Sequence, residues 1–209
     1  MAFLDSRRRG VQRSRSLRDL RLGSSARAAG RYGRPFRGRL VVFVSGPALR
    51  FEVGRLAVLV TPDVLATFDA HRQKRFYHSE AGGQLFARVR GNGWEVVAAT
   101  GPRPRDRRYR FSFRPHRPSE QEEIFHHHAL GLDYVGDWHT HPEDAPTPSP
   151  ADLWSIAELV KRSTHHLPGF LLVIVGRRQF PDGLWASFHS VGGAQLDAKR
   201  MHLSSLTEG

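Results

Sequence analysis

The stretch that decides both the fold and the chemistry is residues 136–152, which read GDWHTHPEDAPTPSPAD. Its first half predicts a β-strand, and alternate side chains of a strand face the same side, so His139 and His141 present two imidazoles together. A helix start follows, with Ser149 as the N-cap and Asp152 in the first turn. Two neutral imidazoles and one carboxylate can hold zinc and leave a fourth position for water, as in catalytic zinc sites.

The second half of this stretch also has an interpretation without a metal. Ser149 and Asp152, with Pro150 between them, form an ordinary helix start in which the side chains satisfy free backbone N–H groups. That interpretation accounts for the serine and the aspartate but leaves the pair of histidines unexplained. We therefore favour the metal site.

Hydrolysis at such a site needs a general base as well. Glu80 is the candidate, because it stands in residues 79–83, whose glycines allow close approach of the backbone, just before a predicted strand. Glu52 and Glu95 are the other acidic candidates upstream of the histidines. The assignment of the general base depends on Glu80 alone, which is distant in sequence from the two histidines.

Neighbouring side chains have simpler interpretations. Trp138 points to the face opposite the two histidines, which favours core packing. Asp137 alternates onto the histidine face, where two roles stay open: orienting a ligand imidazole, or a solvated carboxylate at the sheet edge. Residues 126–128 are three consecutive histidines on a predicted helix, where side chains diverge by about 100°, so they form a surface cluster.

The charge is divided unequally along the chain. Of the formal net charge of +12, residues 1–40 carry +10, from 12 Arg and two acidic groups. We expect a disordered, Arg-rich arm over residues 1–39, a catalytic domain over residues 40–195 and a C-terminal tail over residues 196–209. The chain contains no cysteine, which excludes thiol catalysis and Cys-ligated metals and fits a reducing cytoplasm.

Hydrophobic periodicity and turn residues predict the remaining elements. One helix is expected to begin at Pro62. A second is expected to start with a capping box at Ser119 and to run to about Leu130, and a third is expected to start at Ser149. The fold class is therefore α+β, with a curved mixed β-sheet and two or three flanking helices. Strands are predicted over Leu40–Ser45, Leu49–Val53, Leu56–Val60, Gln84–Val89, Glu95–Ala99, Arg108–Arg114, Tyr134–Thr140, Gly169–Val175 and Leu184–Ser190.

Glu80, the sequence His139-Thr140-His141-Pro142, Ser149 and Asp152 together resemble the JAMM motif of the JAB/MPN metalloproteases. Residues 136–150 look especially similar to bacterial JAB proteins encoded near ubiquitin-like conjugation enzymes and in antiphage defence operons. The resemblance covers roughly residues 40–190 and implies a JAB/MPN-like (cytidine-deaminase-like) fold.

What the resemblance implies is a cytoplasmic bacterial isopeptidase or peptidase that cuts after the C-terminal Gly of a ubiquitin-like protein. His139, His141 and Asp152 would bind one Zn²⁺, Glu80 would be the general base, and Ser149 would stabilise the oxyanion. The implied partners are the modifier and its conjugate, and E1- or E2-like enzymes, with no membrane.

Two other functions stay open at this point. One is a JAB peptidase that processes a sulfur-carrier protein, and the other is a non-catalytic, metal-containing binding module tethered to nucleic acid by its basic arm. Arg103–Arg117 contains seven Arg and one acidic residue. It is either a solvated strand face or a basic groove for an acidic partner.

Overall fold

The computed structural model describes residues 46–205; the Arg-rich arm and the strand predicted over Leu40–Ser45 lie outside this range. None of the helices within it is both long and apolar enough to cross a bilayer. Three helices and eleven strands form in the described range: β1 (Ala48–Val53), β2 (Leu56–Val60), α1 (Pro62–His71), β3 (Gly82–Arg90), β4 (Gly93–Ala99), β5 (Arg107–Tyr109), β6 (Ser112–Arg114), α2 (Arg117–Ala129), β7 (Asp133–Thr140), α3 (Pro150–Arg162), β8 (Gly169–Val175), β9 (Leu184–Ser190), β10 (Gln195–Asp197) and β11 (Lys199–Ser204).

Nine of these strands form one sheet in the order β10-β9-β8-β7-β3-β4-β2-β1-β11. The sheet is mixed, since β7 runs parallel to β8 and β2 parallel to β4, while the other pairs are antiparallel. The predicted α+β class, with a curved mixed sheet flanked by helices, is confirmed. The remaining strands, β5 and β6, form a separate hairpin.

The two faces of β7 are covered by different helices. Trp138 is buried and packs on Phe68 of α1, with ring centroids 4.9 Å apart, as the strand alternation predicts. His139 points to the other face, where it meets the first turn of α3. The Trp138 side of β7 therefore packs into the apolar core, and the His139 side faces the amino end of α3.

Three predictions of secondary structure differ from the structure. Arg108–Arg114 is not one strand but the hairpin β5–β6, because the chain turns at residues 110–111. The capping box predicted at Ser119 is wrong: the N-cap is His116, three residues earlier, and α2 begins at Arg117, since Pro118 suits a first helical turn. Strands β10 and β11 occupy much of the segment that we expected to be a tail, and β11 pairs with β1.

Candidate active site

A parallel β–α–β unit brings the predicted metal ligands together. Because β7 and β8 are parallel, the connection between them must cross back along the sheet, and α3 forms that crossover. The amino end of α3 therefore lies beside the carboxyl end of β7. This places Asp152 opposite His139 and His141, although more than ten residues separate them in sequence.

The three side chains converge on one point. The Nε2 atoms of His139 and His141 lie 3.1 Å apart. Asp152 directs Oδ1 towards His139 at 3.3 Å and Oδ2 towards His141 at 3.4 Å. One ligand atom from each residue lies within 4.8 Å of the others, which makes them a group that could hold a metal ion.

This donor set fits a zinc ion. Two imidazole nitrogens and a carboxylate oxygen are among the ligands that zinc prefers, and three protein ligands are typical of its catalytic sites. Two imidazole nitrogens 3.1 Å apart also repel each other when both present lone pairs, and a shared cation removes that repulsion. His139, His141 and Asp152 thus fit the zinc ion that the sequence implies.

Ser149 and Asp152 form a helix cap as well. The Ser149 hydroxyl accepts a hydrogen bond from the Asp152 amide, and Asp152 accepts one from the Ser149 amide at 2.8 Å, which is a complete capping box. The Ser149 hydroxyl also donates to Asp152 Oδ2 at 2.7 Å. The capping interpretation and the ligand interpretation are therefore compatible, because capping orients the carboxylate that faces the histidines.

Hydrogen bonds determine the charge state of Asp152. Burial alone would raise its pKa, but hydrogen bonds from His139, His141 and Ser149 outweigh burial and hold the pKa well below its usual range. The carboxylate is therefore ionised at neutral pH. An anionic oxygen at a helix amino terminus is favoured further by the helix dipole.

Glu80 lies in the same cleft, immediately before β3. Gly82 pairs with His139 in the sheet, and Ala81 bonds to Thr140. Glu80 directly precedes Ala81 and therefore lies beside the end of β7, where both histidines are. The Glu80 side chain is buried at the wall of the cleft that also contains the two histidines and Asp152. Burial raises its pKa to about 7, against the opposing effect of His141.

The other two acidic candidates lie elsewhere. Glu95 is on β4 and pairs with Arg88, and Glu52 is on β1 and pairs with Arg200. Both carboxylates are well exposed and belong to a different surface depression from the one that contains Glu80. Of the three, Glu80 is the one that shares a cleft with the candidate ligands.

Close backbone contact explains the glycines beside Glu80. A Cβ atom at Gly83 would lie 2.0 Å from the carbonyl oxygen of Thr100, and one at Gly82 would lie 2.7 Å from that of Trp138. No side chain fits these spaces, so this part of the strand approaches its neighbours more closely than other residues allow.

The hairpin β5–β6 holds the backbone of Glu80, a feature that sequence reasoning missed. The amide of Glu80 donates to Tyr109 O at 2.7 Å, and Arg108 Nε donates to Glu80 O at 2.7 Å.

Arg103 is buried and forms an ion pair with Glu123. Arg103 and Arg108 of the basic segment therefore have internal partners, a carboxylate and a backbone carbonyl, which the residue pattern of the segment alone does not reveal.

The cleft has a volume of about 1000 Å³ and extends well beyond the ligand cluster. One wall comes from β6, and the other from α3, including the exposed Trp154. Asp137 also lines it and accepts a hydrogen bond from the Tyr134 hydroxyl at 2.7 Å. A volume of about 1000 Å³ lies at the upper end of the range for ligand pockets.

The chain belongs to the Prok-JAB family. The family described as "Prokaryotic homologs of the JAB domain" (Prok-JAB) matches residues 61–188, which is more than half of the chain and includes all five candidate site residues.

Curated relatives with the name "CD-NTase/cGAS isopeptidase" are similar to this chain. The relative from Pseudomonas aeruginosa is 35% identical over 123 residues, which cover 54% of this chain and 73% of the relative. The relative from Vibrio cholerae is 32% identical over 126 residues, which cover 59% of this chain and 78% of the relative.

Among solved structures, protein DSY2949 from Desulfitobacterium hafniense is 19% identical with a TM-score of 0.48, covering 68% of this chain and 88% of that one.

Proposed function

We propose that this protein is a zinc-dependent isopeptidase that cleaves after the C-terminal glycine of a ubiquitin-like protein. The observation that carries the proposal is the convergence of His139, His141 and Asp152 in the cleft that also contains Glu80. Three relatives are named isopeptidases, which supports the same reaction. Their shared name also suggests that the acceptor is a nucleotidyltransferase of the CD-NTase/cGAS class.

In this proposal His139, His141 and Asp152 hold one zinc ion. A bound zinc ion supplies Lewis acidity, which polarises a carbonyl group and lowers the pKa of a bound water. Asp152 is ionised and oriented by the helix cap, and both histidines direct Nε2 inwards, so no rearrangement of the backbone is needed for binding.

Glu80 moves the proton in the proposed reaction. Its carboxylate takes a proton as the water oxygen attacks the glycine carbonyl carbon, and it returns that proton to the lysine nitrogen when the C–N bond breaks. A pKa near 7 suits both transfers, because the group can accept and donate a proton at neutral pH. The products are a modifier with a free glycine carboxylate and a free lysine amine.

Ser149 is the proposed donor to the carbonyl oxygen as negative charge develops there. Its hydroxyl donates to Asp152 Oδ2 in the structure, and rotation about the side-chain bond would redirect this hydrogen bond to substrate. The reciprocal hydrogen bond of the capping box, from the Ser149 amide to Asp152 Oδ2, does not involve the hydroxyl and is independent of that rotation.

The proposal is tested with an isopeptide conjugate of a bacterial ubiquitin-like protein. Wild-type protein, zinc-stripped protein and Glu80→Gln are incubated with the conjugate, and the products are separated by mass. We expect the wild type alone to release a modifier ending in glycine. Release by all three samples at one rate, or by none of them, would overturn the proposal.

A further inference from the structure

A buried glutamine connects three segments that build the active site. Gln73 follows α1 and is 2% exposed. Its Nε2 donates to His78 O at 3.1 Å and to Arg110 O at 2.9 Å, and its Oε1 accepts from the Thr140 hydroxyl at 3.2 Å. All the hydrogen-bonding groups of this amide are therefore directed at neighbours of the site.

Thr140 extends this connection to the metal-ligand strand. It lies between His139 and His141, and its side chain points away from them into the core, where it is fully buried. Its Oγ1 accepts from the Ala81 amide at 3.0 Å, and its own amide donates to Ala81 O at 2.8 Å. The amide of Ala81, the hydroxyl of Thr140 and the amide of Gln73 thus form one continuous chain of hydrogen bonds.

These contacts enclose Glu80. The Gln73 side chain binds the carbonyl of His78 on one side of it, and through Thr140 it reaches the amide of Ala81 on the other. It also binds Arg110, which adjoins the Tyr109 carbonyl that accepts from the Glu80 amide. Movement of Glu80 relative to the ligand strand would break buried hydrogen bonds, each costly to leave unsatisfied.

We propose that Gln73, acting through Thr140, is a positioning residue that sets the distance between Glu80 and the His139–His141 pair. The inference rests on the proposed function, because positioning of Glu80 matters only if Glu80 transfers the proton. Misplacement of a reacting group by about 1 Å lowers a rate by about a hundredfold, so loss of this amide is expected to reduce turnover more than metal binding.

The chain offers a matched control in Gln84. This glutamine is 3% exposed, lies on β3 and accepts from Arg103 Nη2 at 3.4 Å, without contacting Thr140 or the segment that contains Glu80 through its side chain. The variants Gln73→Met and Gln84→Met each keep side-chain length and remove the amide. Both should lower the melting temperature, but we expect kcat to fall at least about tenfold only in Gln73→Met, with KM and zinc stoichiometry nearly unchanged.

Thr140 provides the rescue experiment. Thr140→Val keeps the β-branched shape and loses the hydroxyl, and Thr140→Ser keeps the hydroxyl. We expect Thr140→Val to match Gln73→Met in kcat and Thr140→Ser to stay near wild type. The double variant Gln73→Met/Thr140→Val should be no slower than either single variant, because residues that act as one unit are not additive.

Hydrogen exchange tests the placement without any substrate. In Gln73→Met, the amides of Glu80 and Ala81 should exchange faster, while those of β8 keep wild-type rates. Equal losses of kcat in Gln73→Met and Gln84→Met, or a uniform rise in exchange, would overturn the positioning role. If the wild-type protein cleaves no conjugate, the proposed function fails. Unchanged hydrogen exchange at residues 80–81 in Gln73→Met would separately contradict the positioning of Glu80 by Gln73.

Discussion

The Nε2 atoms of His139 and His141 lie 3.1 Å apart, and Asp152 directs one carboxylate oxygen towards each of them. The helix cap orients Asp152, and backbone hydrogen bonds to neighbouring strands place His139 and His141. The geometry predicts a site that binds metal rather than one that is built by it.

Zinc titration tests that distinction. Metal-free protein should bind one zinc ion per chain and melt about 5 to 10 °C higher when free zinc is about 100 times the dissociation constant. Chelation should abolish hydrolysis and leave the far-ultraviolet circular dichroism of the native state unchanged. Collapse of the spectrum on chelation would assign the metal a structural role instead.

Glu80→Gln should separate chemistry from binding. The amide keeps the size of the buried side chain but cannot take a proton, so kcat should fall by about 10² to 10⁴. Zinc stoichiometry should stay at one, since Glu80 is outside the ligand group. Glu95→Gln is the matched control on the exposed surface and should retain wild-type turnover.

Ser149 is expected to contribute to stability and to turnover by different atoms. Ser149→Ala should lower the free energy of unfolding by about 1 kcal/mol, because the N-cap side chain is lost. Ser149→Asn restores a good N-cap but no hydroxyl, so it should recover most of the stability and little of the kcat. Urea unfolding and steady-state kinetics on both variants measure the two effects, and recovery of kcat with Asn would argue against the oxyanion role.

His189 should make stability depend on pH far from the metal site. It is 6% exposed, its Nε2 lies 2.8 Å from Ser187 Oγ, and burial lowers its pKa, with Asp197 opposing. Since the unfolded chain binds a proton more readily, stability is full above about pH 6.5 and is lost as the pH falls through the lowered folded value.

Thermal melts of wild type and His189→Gln between pH 8 and pH 5 measure this effect. The wild type should lose more stability on acidification than the variant does. Parallel pH profiles would show that the imidazole does not contribute.

Gly83→Ala should be strongly destabilising. The new methyl group would lie 2.0 Å from Thr100 O, and the overlap is with backbone, so we expect a loss of about 3 kcal/mol. Gly192→Ala, whose methyl group would meet only Ser190 Oγ at 3.8 Å, is the control and should change stability little. Equal unfolding midpoints for the two variants would contradict the close backbone contact.

The features that the sequence predicts best are those with local signals. Strand alternation places His139 and His141 on one face and Trp138 on the other, and Ser149 marks a helix start that the structure confirms to the residue. The uniform apolar run of β8 likewise predicts a strand buried on both faces.

Features that depend on distant contacts could not be predicted in this way. The hydrogen bonds of Tyr109 and Arg108 to the backbone of Glu80 come from the hairpin β5–β6. The turn of this hairpin, at Arg110 and Phe111, contains neither Gly nor Asn, so the sequence does not indicate it. Gln73 reads as an ordinary polar residue after a helix, and only the fold brings Thr140, 67 residues away, to its side chain.

In the proposed reaction, a water oxygen enters the carboxylate of the terminal glycine, and Glu80 carries the proton. The most direct measurement is the mass of the modifier released from an isopeptide conjugate in water enriched in ¹⁸O. We predict that zinc-loaded wild type releases a modifier ending in glycine with one ¹⁸O in its carboxylate, and that Glu80→Gln releases almost none. An intact conjugate with zinc-loaded wild type, or equal ¹⁸O-labelled product from Glu80→Gln, would contradict this mechanism.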